Sequence, residues 1–451
     1  LQDDVPYNPL SFFSLEDATC DIDFTNISER ICSIFNDGKI NRSIAYLGFV
    51  MDEYNMLLNS WSSLKCNPRI FSVPFVKNRY GSAIVCGSGP SLDNSLEAIK
   101  KLSENSLIIS CASNYGTLRK AGIEVDILCL LERGDFMLEQ YQSVVDQFGS
   151  GKTRLLASVT TPAGLQDLFH EPMVYFRPAL TPLSIFADSP DQVLTNEGPQ
   201  TINTGVALAL AIGARQVILF GVDLGSVDSY SQRSADAIGE SPRTFDREVE
   251  ANFGGKAFTN DLLLDGQLVL QELAKHHRNT DTMLLNASNG IMIDGWVPTQ
   301  PSDLCSDAYN LDKFNRNKLD EWWTSRRSFD SMHFHALWRS SRPREMINNT
   351  ITSLINVFGT IYPWYPNTLI AAHELLKLSQ GSISAQLAPR LLRGQIEKLM
   401  IAAQRQMIIM ASESDKCDKF EKQARTIMIN RLNSLRKEIF ELFDLLESSL
   451  S

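Results

Sequence analysis

The sequence predicts an α/β protein, a mostly parallel sheet domain followed by a helical C-terminal domain. Three observations carry that expectation. Short β-rich runs alternate with helical stretches from about Gly81 to Trp296; the first run breaks at once into glycines and a proline; and the pattern from Thr368 onward is strongly helical. Alternation of this kind implies parallel strands covered on both faces, with ligands at the strands' carboxyl ends.

The expected strands are Ala83–Cys86, Leu107–Cys111, Ile127–Leu131, Arg154–Ser158, Met173–Phe176, Gln216–Phe220 and Met283–Leu285. Before them, residues 1–80 form a mixed region with amphipathic helices expected over Ser28–Phe35 and Arg42–Leu64. The sheet domain spans 81–298 and the helical domain 299–451. In the latter, IYPWYPN at 361–367 reads as a hinge, and Ser384–Ser412 with Lys416–Leu446 as a long antiparallel helix pair for packing or partner docking.

Composition narrows the function. The chain has 451 residues, 43% of them hydrophobic and 21% charged, which suits a globular protein of two or three units. A net charge of −11 argues against a nucleic-acid binder or a protein held to anionic lipid. No stretch approaches the ~20 apolar residues of a spanning helix, so no membrane insertion is expected. The first ten residues lack a signal peptide's basic and apolar regions. None of the eight cysteines belongs to a CxxC pair, and Cys86, Cys111 and Cys129 each fall in a separate strand; a reducing, cytoplasmic setting fits best.

The chemistry gathers at strand ends. After the first strand, Gly87, Ser88, Gly89, Pro90 and Ser91 read as a tight turn into a helix start. Glycine there permits positive φ and lets a ligand approach without meeting a Cβ, while proline suits the first helical turn. The spacing is not the dinucleotide fingerprint, because Leu92 stands where the third glycine belongs. The turn is therefore either a phosphate cradle or a plain connection.

Asn114 ends the second strand as a donor and acceptor for a ligand, or as a helix cap. Glu132 ends the third, as a carboxylate at the rim or half of a surface ion pair. Thr201, Asn203, Thr204 and Gly205 crowd the start of an apolar helix, a second place to clamp a phosphate. Asp223 follows its strand as a ribose ligand, a base or only the cap of the next element. The polar stretch between Gly225 and Lys256 reads as a mobile lid. Asn286 to Gly290, NASNG, ends another strand at the same rim.

Other segments imitate sites. Gly149–Thr153 lacks the first glycine of a P-loop and follows a helix. Asp21-Ile22-Asp23 lies outside the α/β region, His333 and His335 have no acidic or cysteine partners nearby, and His373-Glu374 lacks the second histidine of a metalloprotease. His276 and His277 end a helix, where a positive ring is favoured. No metal site is expected.

Taken in order, GSGPSL at 87–92, TNEGPQTINTGVALALAIGA at 195–214, GVDL at 221–224, GGKAFTN at 254–260 and NASNG at 286–290 resemble the motility-associated factor (Maf) family of flagellin glycosyltransferases. The core from about Gly81 to Trp296 is also similar to bacterial sialyltransferases that use CMP-sialic acid, and to archaeal 6-hydroxymethylpterin pyrophosphokinases (MptE-like). The resemblance implies a Rossmann-like nucleotide-sugar domain. It implies a donor site drawn from the five residues of the first turn, Asn114, Thr195, Asn196, Thr201, Asn203, Thr204, Gly205, Asn286 and Ser288. By the sialyltransferase match, Ser88 lies where an Asn meets the donor and Thr204 near the donor phosphate. The catalytic His of those enzymes falls near Lys256 and is not reproduced.

The implied reaction moves a nonulosonic sugar, of the pseudaminic, legionaminic or sialic type, from CMP to Ser or Thr of flagellin. Asp223, Glu132 and Asp228 are the candidate bases, and Lys256 a charge for the sugar carboxylate or phosphate. CMP carries a single phosphate, so backbone donors suffice; no cofactor is required, with Mg²⁺ at most a stimulant. The alternatives are an MptE-like pyrophosphokinase, which needs Mg²⁺ and ATP, and a flagellin-binding protein without catalysis.

Overall fold

In the computed structural model, the described residues are 50–73, 81–178, 180–228, 230, 232–239, 244–306, 311–361, 367–377, 386–409 and 414–450. The helix expected at Ser28–Phe35, the Asp21–Asp23 motif, most of the 361–367 hinge and the side chains of His333 and His335 lie outside them.

In chain order the strands are β1 (Arg69–Ile70), β2 (Ser82–Cys86), β3 (Ser106–Cys111), β4 (Ile127–Leu130), β5 (Arg154–Ser158), β6 (His170–Tyr175), β7 (Gln216–Phe220), β8 (Arg247–Glu250), β9 (Lys256–Thr259), β10 (Met283–Asn286) and β11 (Val297–Pro298). Nine of them form the main sheet, in the order β1-β6-β5-β4-β3-β2-β7-β10-β11, and every neighbouring pair is parallel. All seven strands expected from the sequence are present in it. The two-residue edge strands β1 and β11 are additional, too short to leave a period in the sequence.

Both faces are buried, as a parallel sheet requires. Ala83, Val85, Leu107, Ile109, Cys111 and Cys129 face one core, and Ile84, Cys86, Ile108, Leu128 and Leu130 the other, the two-residue alternation of extended chain. The Thr201–Ala211 helix covers the first face and is apolar almost all round because it is buried almost all round. At Gly205 a Cβ would stand 2.4 Å from Cys111 Sγ and 3.0 Å from Val85 Cγ1, so glycine sets how closely this helix lies on the sheet. The buried thiols have pKa values raised by desolvation, which keeps them inert.

From β2 the chain steps outward to β6, then returns to place β7 on β2's other side. The strand order thus reverses between β2 and β7, where a doubly wound sheet opens its ligand crevice.

The stretch read as a lid contains an antiparallel hairpin of β8 and β9, separate from the main sheet. It turns at Gly254 and Gly255, whose φ values of +87° and +81° explain that glycine pair. Bridges Ser226–Phe258 and Ala251–Ile291 fasten it to neighbouring loops.

The chain divides into two compact units, one of Asn59–Pro178 and Ala187–Ser331, the other of Leu1–Leu58, Ala179–Phe186 and Met332–Ser451. The division falls at Ser331 and not at the expected residue 298, because Phe314, Leu319, Trp322 and Trp323 belong to the sheet's core and Arg316 grips Asp126.

In the helical unit, Ser414–Leu450 lies antiparallel to Pro343–Thr360. Arg344 meets Asp444 and Glu447, Asn348 meets Arg436, and the Phe358 carbonyl meets Arg425. The sequence paired this long helix with the preceding one, Leu387–Ile409, which it also touches. The closer partner is set by Ile347, Ile351, Leu354 and Phe358, a buried stripe at helical spacing.

Candidate active site

The glycine turn sits at the reversal between β2 and β7. Gly87 N donates to Phe220 O at 2.8 Å and Gly89 N to Gly221 O at 2.7 Å, so the turn is stitched to the end of β7. Gly89 has φ −68° and ψ 160°, and Gly87 is not among the positive-φ residues. Close approach, not left-handed backbone, is what requires glycine: a Cβ on Gly87 would lie 2.4 Å from Gly221 O, and one on Gly89 2.5 Å from Asp223 Oδ2. The positive φ falls on Gly221, at +63°.

Asp223 stands against the turn, only 1% exposed. Its Oδ2 accepts from Ser91 N at 2.8 Å and its Oδ1 from the Ser91 hydroxyl. These bonds cap the start of the 3-10 helix Pro90–Ser95 from the end of the neighbouring strand, a different helix from the next element that the sequence offered it. Burial pushes its carboxyl up to about 6, against the pull of the Ser91 hydrogen bonds. Gly290 packs behind it, where a Cβ would meet Asp223 O at 2.0 Å.

Most of the other expected site residues hold the rim together. Asn114 is fully buried, donating to Cys86 O and accepting from the Ser110 hydroxyl, which locks the ends of β2 and β3. Asn203 Oδ1 accepts from Gln200 N at 3.1 Å in a capping box, and its Nδ2 donates to Gly266 O at 3.0 Å. Thr204 donates to Glu197 O at 2.6 Å and meets the Tyr175 hydroxyl at 3.3 Å. The Ser288 hydroxyl accepts from Val222 N at 2.9 Å. Asn286 Oδ1 accepts from Ser288 N at 3.0 Å, while its buried Nδ2 has no partner among the described residues. Thr195 is exposed, Asn196 half-buried with φ +59°, and Thr201 buried.

The candidate bases differ sharply. Asp228 is exposed but turned onto its own loop, accepting from Tyr230 N at 3.0 Å. Lys256 is exposed on the hairpin and paired with Glu248 at 2.5 Å. Glu132 is exposed at the carboxyl end of β4, with no hydrogen bond or ion pair to a described residue. Its field reaches both Arg177 and Tyr141.

Two features stand at the rim besides these, the first inside the stretch read as a lid and the second unread in the sequence. Residues 232–239 form a strap across the ends of β2 and β3: Ser234 N donates to Ser88 O at 3.0 Å, Ala235 N to Asp93 Oδ2 at 2.9 Å and Ile238 N to Ser113 O at 2.7 Å. Arg233 ties the strap to itself through Ile238 O and Gly239 O. The other is Arg177, just past β6, whose Nε donates to the buried Glu197 at 2.8 Å. Burial weighs against its cation, and Glu197 more than offsets it, so its pKa ends raised. An isolated arginine carries no motif; only its place after a parallel strand points to the rim.

A parallel sheet whose strand order reverses at a glycine turn, with helices on both faces, defines a Rossmann-like α/β class of fold. Within that class, residues 58–229 match the family model described as 6-hydroxymethylpterin diphosphokinase MptE-like. The fold is similar to that of the Maf glycosyltransferase from Magnetospirillum magneticum AMB-1, with a TM-score of 0.74 and 24% identity over 92% of this chain. The chain spans 63% of the length of that protein. The resemblance drawn from the five motifs is thus met by a matching fold. No curated protein matches the sequence. Among the described residues no helix is long and apolar enough to cross a membrane.

Proposed function

We propose that this chain is a glycosyltransferase that moves a nonulosonic sugar from a CMP donor to a Ser or Thr hydroxyl of flagellin, in the cytoplasm. The observation that carries the reading is the likeness to a Maf glycosyltransferase over nearly the whole chain, helical unit included. The crevice between β2 and β7, the hydroxyl of Ser88 and the carboxylate of Glu132, neither of them bonded to a described residue, supply fitting parts.

In this reading the donor phosphate rests at Ser88, whose N–H and hydroxyl are the donors of the turn left over once Gly87 N, Gly89 N and Ser91 N have bonded to Phe220 O, Gly221 O and Asp223. The bond from the anomeric carbon to the phosphate oxygen breaks with its electron pair leaving on CMP, and the carbon becomes oxocarbenium-like. The acceptor oxygen bonds to that carbon and passes its proton to Glu132, the one candidate base whose oxygens are not already engaged by described residues. No cofactor is needed for these steps, Mg²⁺ being at most a stimulant. The strap at 232–239 would open to admit the donor and close over it.

A second reading, an MptE-like pyrophosphokinase, is favoured by the family model over residues 58–229. Calorimetry with CMP, CMP-nonulosonates, UDP and ATP, with and without Mg²⁺, separates the two. Selective, Mg²⁺-independent binding of CMP compounds is the expected result. Mg²⁺-dependent ATP binding with no response to CMP would replace the first reading by the second.

A further inference from the structure

We propose that Arg177 is the fork that receives the carboxylate of the transferred sugar, an inference that rests on the CMP-nonulosonate reading above. An arginine meeting Glu197 fork to fork would spend two of its N–H groups on that carboxylate. Here Nε alone is engaged, at 2.8 Å, and neither terminal nitrogen donates to any described residue. Four N–H groups are therefore held in a fixed plane with no described residue accepting them.

The anchor is rigid. Glu197 is 6% exposed, and its carbonyl accepts from Thr204, which in turn meets Tyr175. Arg177 is thereby fixed to the start of the Thr201–Ala211 helix, not merely to the end of β6. Its side chain is 21% exposed, open enough to be reached and too enclosed to sample many rotamers. Gly198 borders it, where a Cβ would lie 3.2 Å from Nη2, so glycine leaves that edge of the fork open.

The chemistry of the donor makes this position useful. In a nonulosonic acid the carboxylate is bonded directly to the anomeric carbon, so gripping the carboxylate places the reacting carbon one bond away. Glu132, whose field reaches this guanidinium, stands on the same rim to take the acceptor's proton. A planar carboxylate suits a bidentate guanidinium better than it suits the point charge of a lysine.

The test is calorimetry on wild type, Arg177→Gln, Arg177→Lys and Gly198→Ala with CMP, CMP-pseudaminate, CMP-legionaminate and CMP-N-acetylneuraminate. Arg177→Gln should keep CMP affinity within about twofold and lose tenfold or more for the donor that wild type binds best. Arg177→Lys should recover only part of that loss, and Gly198→Ala should weaken the same donor with CMP unchanged. CMP binding also reports that each variant is folded. A donor-to-CMP affinity ratio unchanged in Arg177→Gln would overturn the assignment, as would equal loss of CMP, which would put Arg177 on the phosphate or in the scaffold. If wild type bound no CMP compound, the free sugar acids would decide: Arg177-dependent binding would keep the fork and reject the donor, and no binding would reject both.

Discussion

The crevice at β2 and β7 and the rim over β4 and β6 are built on opposite principles. At the crevice, Asn114, Ser91, Asp223 and Ser288 spend polar atoms on neighbouring side chains or on backbone, and the glycines are so hemmed in that an added Cβ would meet neighbouring atoms as close as 2.0 Å. At the rim, Glu132 and the terminal nitrogens of Arg177 have no protein partner among the described residues. The motif-bearing half of the site is scaffold with a shaped backbone, and the half with free chemistry has no motif. Substitutions at the first should therefore act on stability, and those at the second on turnover.

The largest expected effect is on the rim. Glu132→Gln should lower the rate of sugar transfer by about 10²–10⁴-fold, the usual contribution of a general base, while urea denaturation places its stability within about 0.5 kcal/mol of wild type. A rate loss matched by lost stability would erase the contrast between the two regions.

Next comes the crevice. Gly87→Ala and Gly290→Ala would drive a Cβ to 2.4 Å and 2.0 Å from backbone oxygens that cannot rotate away. Each should cost about 3 kcal/mol or more by denaturant titration. Full stability in either variant would mean the turn and β7 are not stitched as described.

Asp223 sharpens the comparison through pH. Its carboxyl is raised from 3.8 to about 6 by burial, so the folded state favours the protonated form. That contribution is fully present below about pH 4 and is lost as pH rises through about 6. Asp223→Asn does not titrate, so between pH 4 and pH 7 the stability difference should move in the variant's favour by on the order of 3 kcal/mol. A difference flat with pH would show Asp223 to be solvated, and so available to be a base.

The smallest effect belongs to Lys256→Ala. An exposed ion pair with Glu248 contributes little, so stability should change by less than about 1 kcal/mol. A large loss of donor affinity would instead give Lys256 the charge role here assigned to Arg177.

The strands and the glycine turn were legible in the sequence because buried parallel strands leave apolar runs and tight turns leave glycine and proline. The reason for the glycines was not legible, since Gly221 and Asp223, which crowd them, lie more than a hundred residues away. The same holds for the capping of Ser91 by Asp223 and for the grip of Glu197 on Arg177, both contacts made across the ends of elements and not along one. The hairpin at β8 and β9 was hidden because Arg247–Glu250 is largely exposed and charged, without the apolar alternation that marks a strand.

The most direct measurement is mass spectrometry of purified flagellin incubated with this protein and each CMP-nonulosonate, without added metal, beside the Glu132→Gln variant. The predicted result is a mass gain of whole nonulosonate units on Ser or Thr with wild type and almost none with the variant. No transfer from any CMP donor, together with AMP release from ATP in the presence of a hydroxymethylpterin and Mg²⁺, would contradict it.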